Sequence, residues 1–308
     1  MSIKSKQRSK TLGIILAGGL SSRLYPATLV TSKQVLPVYD KPMIYYPLST
    51  MMLAGIRDYY IIVNPHERVI FESLFADSKR LLGINITFLV QEKPNGIPEA
   101  FNLVTSCLDF DESKYDRYGL ILGDNLFYGA ALSDMLQKAA KKSNKATIFA
   151  AKVHDPERFG VVEIDKKGKA VSIEEKPKAP KSQYAVTGLY FYPSDVLDVA
   201  YALIPSARGE TEITDLNNAY MGAGRLTVNK LLRGMVWFDT GTPDALLESA
   251  NFIQTIQDHQ DILIGAPHEV AFLNGWIDQT ALMESANLCG KSFYGKYLRN
   301  IVEDSNNG

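Results

Sequence analysis

The sequence predicts an α/β fold, an open and mostly parallel sheet flanked by helices. Three observations predict it. Short apolar segments alternate with helix-length segments over the first 150 or so residues. The strand-like segments, such as Ile61–Val63 and Leu120–Leu122, are apolar without strict alternation, as strands covered on both faces are. Beyond residue 150 helical segments thin out, and short strands follow one another across turns.

The elements follow in order. Residues 12–16 form an apolar run that stops at Ala17-Gly18-Gly19, a buried strand feeding a glycine turn. Pro42 to Met52 has helical spacing and ends near Gly55; Asp58 to Asn64 holds a second buried strand. His66 to Leu82 reads as one helix, with Val69, Ile70, Leu74, Leu81 and Leu82 near a 3.6 period. Then come a strand at 85–90, a helix at 99–107, a strand at 118–122 running into Gly123-Asp124, a helix at 131–143 and a strand at 146–152. The next part holds strands at 161–164, 170–174 and 188–192, the first two joined by a hairpin turn at Asp165–Gly168. Ala245 to Gln257 is a helix, and 282–289 and 294–301 form a small helical appendage. The expected organisation is a core over 11–250 that changes character at about residue 150, followed by a small appendage over 251–308.

A chain of 308 residues can bury a full core, roughly 75% of its extended surface. The formal net charge of −1 argues against a broad nucleic-acid face. Cys107 and Cys289 have no second pair, which excludes a zinc site made of cysteines; they read as small apolar residues in a reducing compartment. Residues 1–11 are basic and polar, unlike a secretory signal, and are expected to be mobile. No run of 18 apolar residues occurs. Neither a nucleic-acid nor a membrane partner is expected.

Several constellations carry chemistry. In Leu16-Ala17-Gly18-Gly19-Leu20-Ser21-Ser22-Arg23, glycines after a strand let backbone N–H groups cradle phosphate oxygens. The same glycines would suit a plain strand-to-helix turn, but Arg23 reaches over the same anion. The loop has neither the dinucleotide G-x-G-x-x-G spacing nor a P-loop ending. Lys33 is a solvated lysine or a phosphate ligand. Gln91 directly follows a strand, where open sheets bind ligands, and its amide matches the edge of thymine or uracil. Asp124 follows another apolar strand, and Asp239 lies in Trp237-Phe238-Asp239-Thr240-Gly241-Thr242. Each aspartate alone suits a cap or turn; together they suit Mg²⁺ on a phosphate chain. Glu174-Glu175-Lys176-Pro177 can divide a sugar phosphate between carboxylate and ammonium, or be a solvated turn. Thr211 or Thr214 can cap a following helix. The four histidines show no ligand spacing, and no G-x-S-x-G elbow exists, so serine and zinc hydrolase chemistry score low.

Taken together, these segments resemble the glucose-1-phosphate thymidylyltransferase family of the sugar nucleotidylyltransferases. The resemblance is carried by Leu16–Pro26, Lys33–Leu48, Gly123–Gly129, His154–Glu163, Glu174–Tyr192, Ala207–Leu216 and Trp237–Thr242, and runs from about residue 11 to residue 300. It implies a Rossmann-like nucleotide-diphospho-sugar transferase fold, with a nucleotide-binding part at 11–150, a sugar-phosphate-binding lid region at 151–250, and an oligomer or regulatory region at 251–308. It implies that Leu16, Gly18, Gly19, Arg23 and Lys33 surround the triphosphate of dTTP, that Gln91 and Gly96 meet the base, and that Asp124 and Asp239 hold Mg²⁺. Gly160, Glu175, Lys176, Val186 and Tyr190 would line the glucose 1-phosphate pocket. Arg23, Lys33, Asp124, Lys176 and Asp239 would carry catalysis. A cytoplasmic homotetramer, feedback by a nucleotide sugar, and a product feeding rhamnose and other deoxysugars are further implications.

Four positions depart from the family pattern. Ser21 stands where a glycine is usual, Phe159 where a tyrosine is, and Pro98-Glu99 where Ala-Gln is. Ser21 is strained if its φ is positive. The other changes bear on sugar and base preference. They leave open UTP or a different sugar phosphate as substrate, and a non-catalytic sugar-nucleotide-binding subunit.

Overall fold

The computed structural model describes residues 10–19, 21–206 and 209–307. Leu20, Ala207, Arg208 and nearly all of the tail expected to be mobile lie outside the described residues. The first half of the chain contains β1 (Thr11–Leu16), β2 (Pro37–Val38), β3 (Lys41–Pro42), α1 (Tyr45–Leu53), β4 (Asp58–Val63), α2 (Arg68–Leu74), α3 (Ser78–Leu81), β5 (Asn85–Val90), α4 (Glu99–Thr105), β6 (Arg117–Leu122), β7 (Asn125–Tyr128), α5 (Leu132–Ala140) and β8 (Ala146–Lys152). The second half contains β9 (Gly160–Ile164), β10 (Ala170–Glu175), β11 (Tyr184–Pro193), α6 (Val196–Tyr201), α7 (Ile213–Gly222), β12 (Leu226–Lys230), β13 (Val236–Asp239), α8 (Pro243–Gln260), α9 (Pro267–Leu273), α10 (Gln279–Leu288) and α11 (Phe293–Asn307).

The main sheet runs β10-β9-β11-β6-β1-β4-β5, with β8 beside β11 and β12 beside β8. β1, β4, β5 and β6 are parallel, as is the β8–β12 pair, whereas β11 runs antiparallel to β6 and β8. Both faces are covered. Leu12 and Ile14 of β1 pack with Phe101, Tyr118 and Tyr192 on one side; Ile15 packs with Met51, Phe71 and Phe191 on the other. This burial on both faces is why these strands read as unbroken apolar runs.

Two expectations need correction. The segment 66–82 is not one helix but α2 and α3, separated at Phe75–Asp77. Its anchors are Phe71 and Phe75, both buried, while Val69 is 71% exposed. On an unbroken helix the six residues from Phe75 to Leu81 would turn the face by roughly 240°. The break resets the phase so that Leu81 and Leu82 are also buried. The strand expected at 188–192 begins at Tyr184, and its pairing with β8 is irregular between Val186 and Tyr190. The expected division points, after 150 and after 250, fall inside β8 and α8.

Candidate active site

β1 lies between β4 and β6, so its carboxyl end opens at the middle of the sheet, where open α/β sheets bind ligands. The chain leaves β1 into the glycine loop, which a side chain from the next strand holds in shape. The Gly19 N–H donates to Asn64 Oδ1 at 3.0 Å, and Asn64 Nδ2 donates back to the Gly19 carbonyl at 3.2 Å. A Cβ at Gly18 would lie 3.3 Å from that same Oδ1 and 3.6 Å from Gln91 Oε1. Ser21 has φ 49° and ψ 29°, so the strained alternative foreseen for this departure is the one realised. Its carbonyl accepts from the Thr28 hydroxyl at 2.9 Å, which helps to hold the turn.

Gln91, at the end of β5, is buried beside this loop, and its N–H continues the sheet pairing to the Val63 carbonyl at 2.9 Å. Gly96 has φ 105°, and a Cβ there would sit 1.9 Å from the Thr211 carbonyl oxygen. The two segments are joined by a bridge at Gly96 and Thr211 and by the Thr211 N–H donating to the Asn95 carbonyl at 2.9 Å. The start of α7 is thus fastened to the loop after β5. Between them and the glycine loop lies a cavity of about 320 Å³. Pro98 and Glu99 do not line this cavity: Pro98 precedes α4, and Glu99 sits in its first turn, accepting from Asn102 Nδ2 at 3.1 Å.

The two aspartates converge through a short ribbon. β7 pairs with β13 antiparallel, opposing Asn125 to Asp239. Thr240 donates to the Asp124 carbonyl from its N–H at 3.0 Å and from its hydroxyl at 2.8 Å. Directly opposed residues have Cα atoms about 4.5–5.5 Å apart, so both carboxylates belong to one small volume. Lys33 Nζ bonds Asp124 Oδ2, and Asn125 Nδ2 donates to Asp124 Oδ1 at 2.9 Å. Burial pushes the Asp124 pKa up, but the Lys33 ammonium and these donors outweigh it and hold the group below the ordinary carboxylate value. Asp239 shifts the other way, raised by burial and then by the Asp124 charge, with Lys33 and Arg23 opposing. Arg23 is close by: a Cβ at Gly241 would meet Arg23 Nη2 at 2.8 Å and Asp239 Oδ1 at 3.1 Å.

A second cavity, about 180 Å³, adjoins the first across Ile97, Glu175, Lys176 and Ile213. Glu175 closes β10 opposite Gly160, and its Oε2 accepts from the Thr214 hydroxyl at 2.8 Å. A Cβ at Gly160 would lie 3.3 Å from that oxygen. Lys176 has φ 44° and an exposed side chain, with Nζ 3.7 Å from Glu175 Oε1. Phe159 packs edge-on against Trp237 at 5.1 Å, and Trp237 Nε1 donates to Asn125 Oδ1 at 2.6 Å.

All fourteen side chains or glycines expected at the site line one of these two cavities. Leu16, Gly18, Gly19, Lys33, Gln91, Gly96 and Asp124 line the larger; Arg23, Gly160, Val186, Tyr190 and Asp239 line the smaller; Glu175 and Lys176 line both. Sequence reasoning missed Asn64, whose only signal is its place directly after β4. It also missed Arg158, which lines the smaller cavity and opposes the rise of the Asp239 pKa, and Asn217. Their motifs, His154–Glu163 and Ala207–Leu216, flank or contain them without singling them out.

The fold and this two-chambered cleft define an enzyme of the nucleotide-binding α/β transferase class. Residues 12–256 match the family described as Nucleotidyl transferase. A glucose-1-phosphate thymidylyltransferase of Xanthomonas campestris pv. campestris (strain B100) is 52% identical over 94% of this chain and 97% of its own length. One from Neisseria meningitidis (strain DSM 15465 / Z2491) is 48% identical over 94% and 99%. A crystal structure of a candidate glucose-1-phosphate thymidylyltransferase from Bacillus anthracis, in complex with a sucrose, superposes with TM-score 0.72 at 39% identity, covering 84% of this chain and 99% of that one. A UDP-glucose pyrophosphorylase complexed with UDP-glucose shares the fold at 20% identity and TM-score 0.67, covering 80% and 99%. The chain belongs to the nucleotidyl transferase family and, within it, to the glucose-1-phosphate thymidylyltransferases.

Proposed function

We propose that this chain catalyses dTTP + α-D-glucose 1-phosphate → dTDP-glucose + diphosphate, with Mg²⁺, by direct in-line displacement. The observation that carries this reading is the junction of the two cavities, where Arg23, Lys33 and Lys176 stand beside Asp124 and Asp239. An oxygen of the sugar 1-phosphate attacks the α-phosphorus. The bond from that phosphorus to the β-phosphate oxygen breaks, and diphosphate leaves with the electron pair. The attacking phosphate is ionised at neutral pH, so no general base is required, in keeping with two cavities that no histidine lines among the described residues. Bringing two polyanions together is the barrier, and cations and positioning lower it.

The residues divide the task. Gly18 and Gly19 let the backbone approach the triphosphate closely, the Gly19 N–H being held by Asn64, with Leu16 beneath them and Arg23 and Lys33 over its charge. Gln91 reads the pyrimidine edge, and Gly96 leaves room for the base. Glu175 accepts sugar hydroxyls, Lys176 holds the sugar phosphate, and Gly160, Val186 and Tyr190 shape the rest of that pocket. In use, residues 11–150 serve the nucleotide, 151–250 the sugar phosphate, and 251–308 assembly or regulation.

Asp124 and Asp239 fit a hard divalent cation. Burial first, and then repulsion from Asp124, raises the Asp239 pKa, and no cluster of three or more metal-ligating side chains exists among the described residues. Mg²⁺ characteristically uses one or two carboxylates, the remaining oxygens being water and substrate phosphate. When bound, it neutralises phosphate charge during transfer. The expected setting is cytoplasmic. Among the described residues, no helix is long and apolar enough to cross a membrane. We infer a homotetramer with feedback by a nucleotide sugar.

Diphosphate release from a panel of triphosphates and sugar 1-phosphates tests the reaction. The expected result is Mg²⁺-dependent turnover with kcat/KM higher for dTTP than for UTP, and glucose 1-phosphate preferred. A higher value for UTP would remove the thymidylyl assignment. Binding of dTDP-glucose without turnover would indicate a non-catalytic subunit.

A further inference from the structure

The wall of the smaller cavity carries a polar group that the steps above leave unused. Asn217 lies on α7 three residues after Thr214, so both point to one side of the helix, and both line the cavity. Asn217 is 1% exposed. Its Oδ1 accepts from the Tyr192 hydroxyl at 2.7 Å, while its Nδ2 is buried without a hydrogen-bond partner. Folded proteins pair nearly all such donors, so each exception calls for a ligand, a water or another cause. Among the described residues, Ser49, Tyr118 and Asn218 also hold unpaired buried polar atoms, but none of those three lines this cavity.

The direction of α7 orients the group. Thr211 and Glu212, at its start, line only the larger cavity; Ile213 lines both; Thr214 and Asn217 line only the smaller. Asn217 is therefore further along, away from the nucleotide end. Lys176 lies where the two cavities meet, and Arg23 lies against Asp239. A hexose 1-phosphate held by Lys176 through its phosphate would turn the far side of its ring toward Asn217.

We propose that Asn217 is a specificity residue that donates its free Nδ2–H to a hydroxyl on the side of the sugar remote from the anomeric phosphate, and so decides which hexose 1-phosphate is accepted. This rests on the transfer reaction proposed above. Tyr192 acts through it as a positioning residue. Its ring is fully buried and stacks on Tyr190 at 6.1 Å, with Tyr220 tilted against it at 5.6 Å, so its hydroxyl fixes the amide.

The test is kcat/KM for diphosphate release with dTTP and glucose 1-phosphate or its 3-, 4- and 6-deoxy analogues, in the wild type, Asn217→Asp and Tyr192→Phe. Asn217→Asp keeps the oxygen that accepts from Tyr192 and removes the donor. The expected result is a loss of about 10- to 100-fold with glucose 1-phosphate, an unchanged KM for dTTP, and no loss with one deoxy analogue, which the wild type already handles poorly. Tyr192→Phe should lose less and keep the same sugar ranking. Wild-type turnover by Asn217→Asp, or an equal loss on all four sugar phosphates, would overturn the proposal, because a merely structural residue does not discriminate among them. If Asn217→Asp does not fold, Asn217→Ser, too short to reach the sugar, is read by the same criteria. Failure of the wild type on every sugar phosphate would overturn the transfer reaction instead, so the two failures are distinct.

Discussion

Lys33 and Asp124, 91 positions apart, form an ion pair in which the two side chains are only 13% and 11% exposed. Asp239 is adjacent, and its pKa is raised by burial and by the charge on Asp124. Lys33 thus compensates Asp124 directly, whereas at Asp239 the charges of Lys33, Arg23 and Arg158 offset only part of the effect of burial and of the Asp124 charge.

Lys33→Met should therefore leave Asp124 buried without its counter-charge. Breaking a buried pair in this way costs about 3 kcal/mol or more, so thermal melting should show a clear fall in Tm without metal. Mg²⁺ should narrow the gap between variant and wild type, because it supplies charge to the stranded carboxylate. Activity should fall by roughly 10²- to 10³-fold, and excess Mg²⁺ should not restore it.

The pH dependence follows from Asp239. Its folded pKa lies above 3.8, so it must lose a proton at a higher pH than an ordinary aspartate before it can serve a cation. The acid limb of kcat/KM should sit above that of an ordinary aspartate and move to lower pH as Mg²⁺ is raised. The sign for stability is opposite to that of Asp124. With a raised folded pKa, the native state holds the Asp239 proton more tightly than the unfolded chain, so this group's contribution declines as pH rises through that window. Asp124, held low, contributes stability at higher pH that is lost on acidification. Asp124→Asn, which removes a charge that raises Asp239, should move the titration of Asp239 downward, as measured by NMR of the carboxyl carbon.

Ser21 is held at φ 49°, a conformation that glycine adopts freely. Ser21→Gly should fold and leave Tm unchanged or raised by the equivalent of up to about 1 kcal/mol, since relief of strain and loss of chain stiffness oppose each other. Ser21→Val should lose about 1–2 kcal/mol, because a β-branched residue tolerates this region poorly, and should raise the KM for dTTP. Denaturant melts and initial rates check both.

Gly96→Ala has no such latitude, since its Cβ would fall 1.9 Å from the Thr211 carbonyl oxygen. The contact is with backbone, so the bridge that fastens the loop after β5 to the start of α7 must open. The expected outcome is a KM for dTTP raised at least about tenfold, with a smaller change in the KM for glucose 1-phosphate. Steady-state titration of each substrate distinguishes them.

Much of this was legible in the sequence because β1, β4 and β6 are buried on both faces and therefore largely apolar. Leu16 and Asp124 could be placed at strand ends from that pattern alone; β5 is only partly buried, but its own run of mostly apolar residues sets Gln91 at its end. The convergence of Asp124 with Asp239 could not, because it depends on the ribbon of β7 and β13. Both strands are only four residues long and carry no turn signal linking one to the other. The helix break near Phe75 was hidden for a different reason: Val69 and Ile70 are apolar but face outward, so the period read from composition picked the wrong face. Asn217 had no local signal. Its meaning comes from Tyr192, which occupies one end of its amide, and from the cavity beside it.

The most direct measurement of the central claim is Mn²⁺ binding by electron paramagnetic resonance, with Mn²⁺ standing in for Mg²⁺ and α,β-methylene-dTTP as a non-reacting partner. The wild type should hold the ion tightly only when the nucleotide is present, and Asp124→Asn and Asp239→Asn should each lose most of that affinity while keeping their fold. Wild-type Mn²⁺ affinity in both variants would contradict the account.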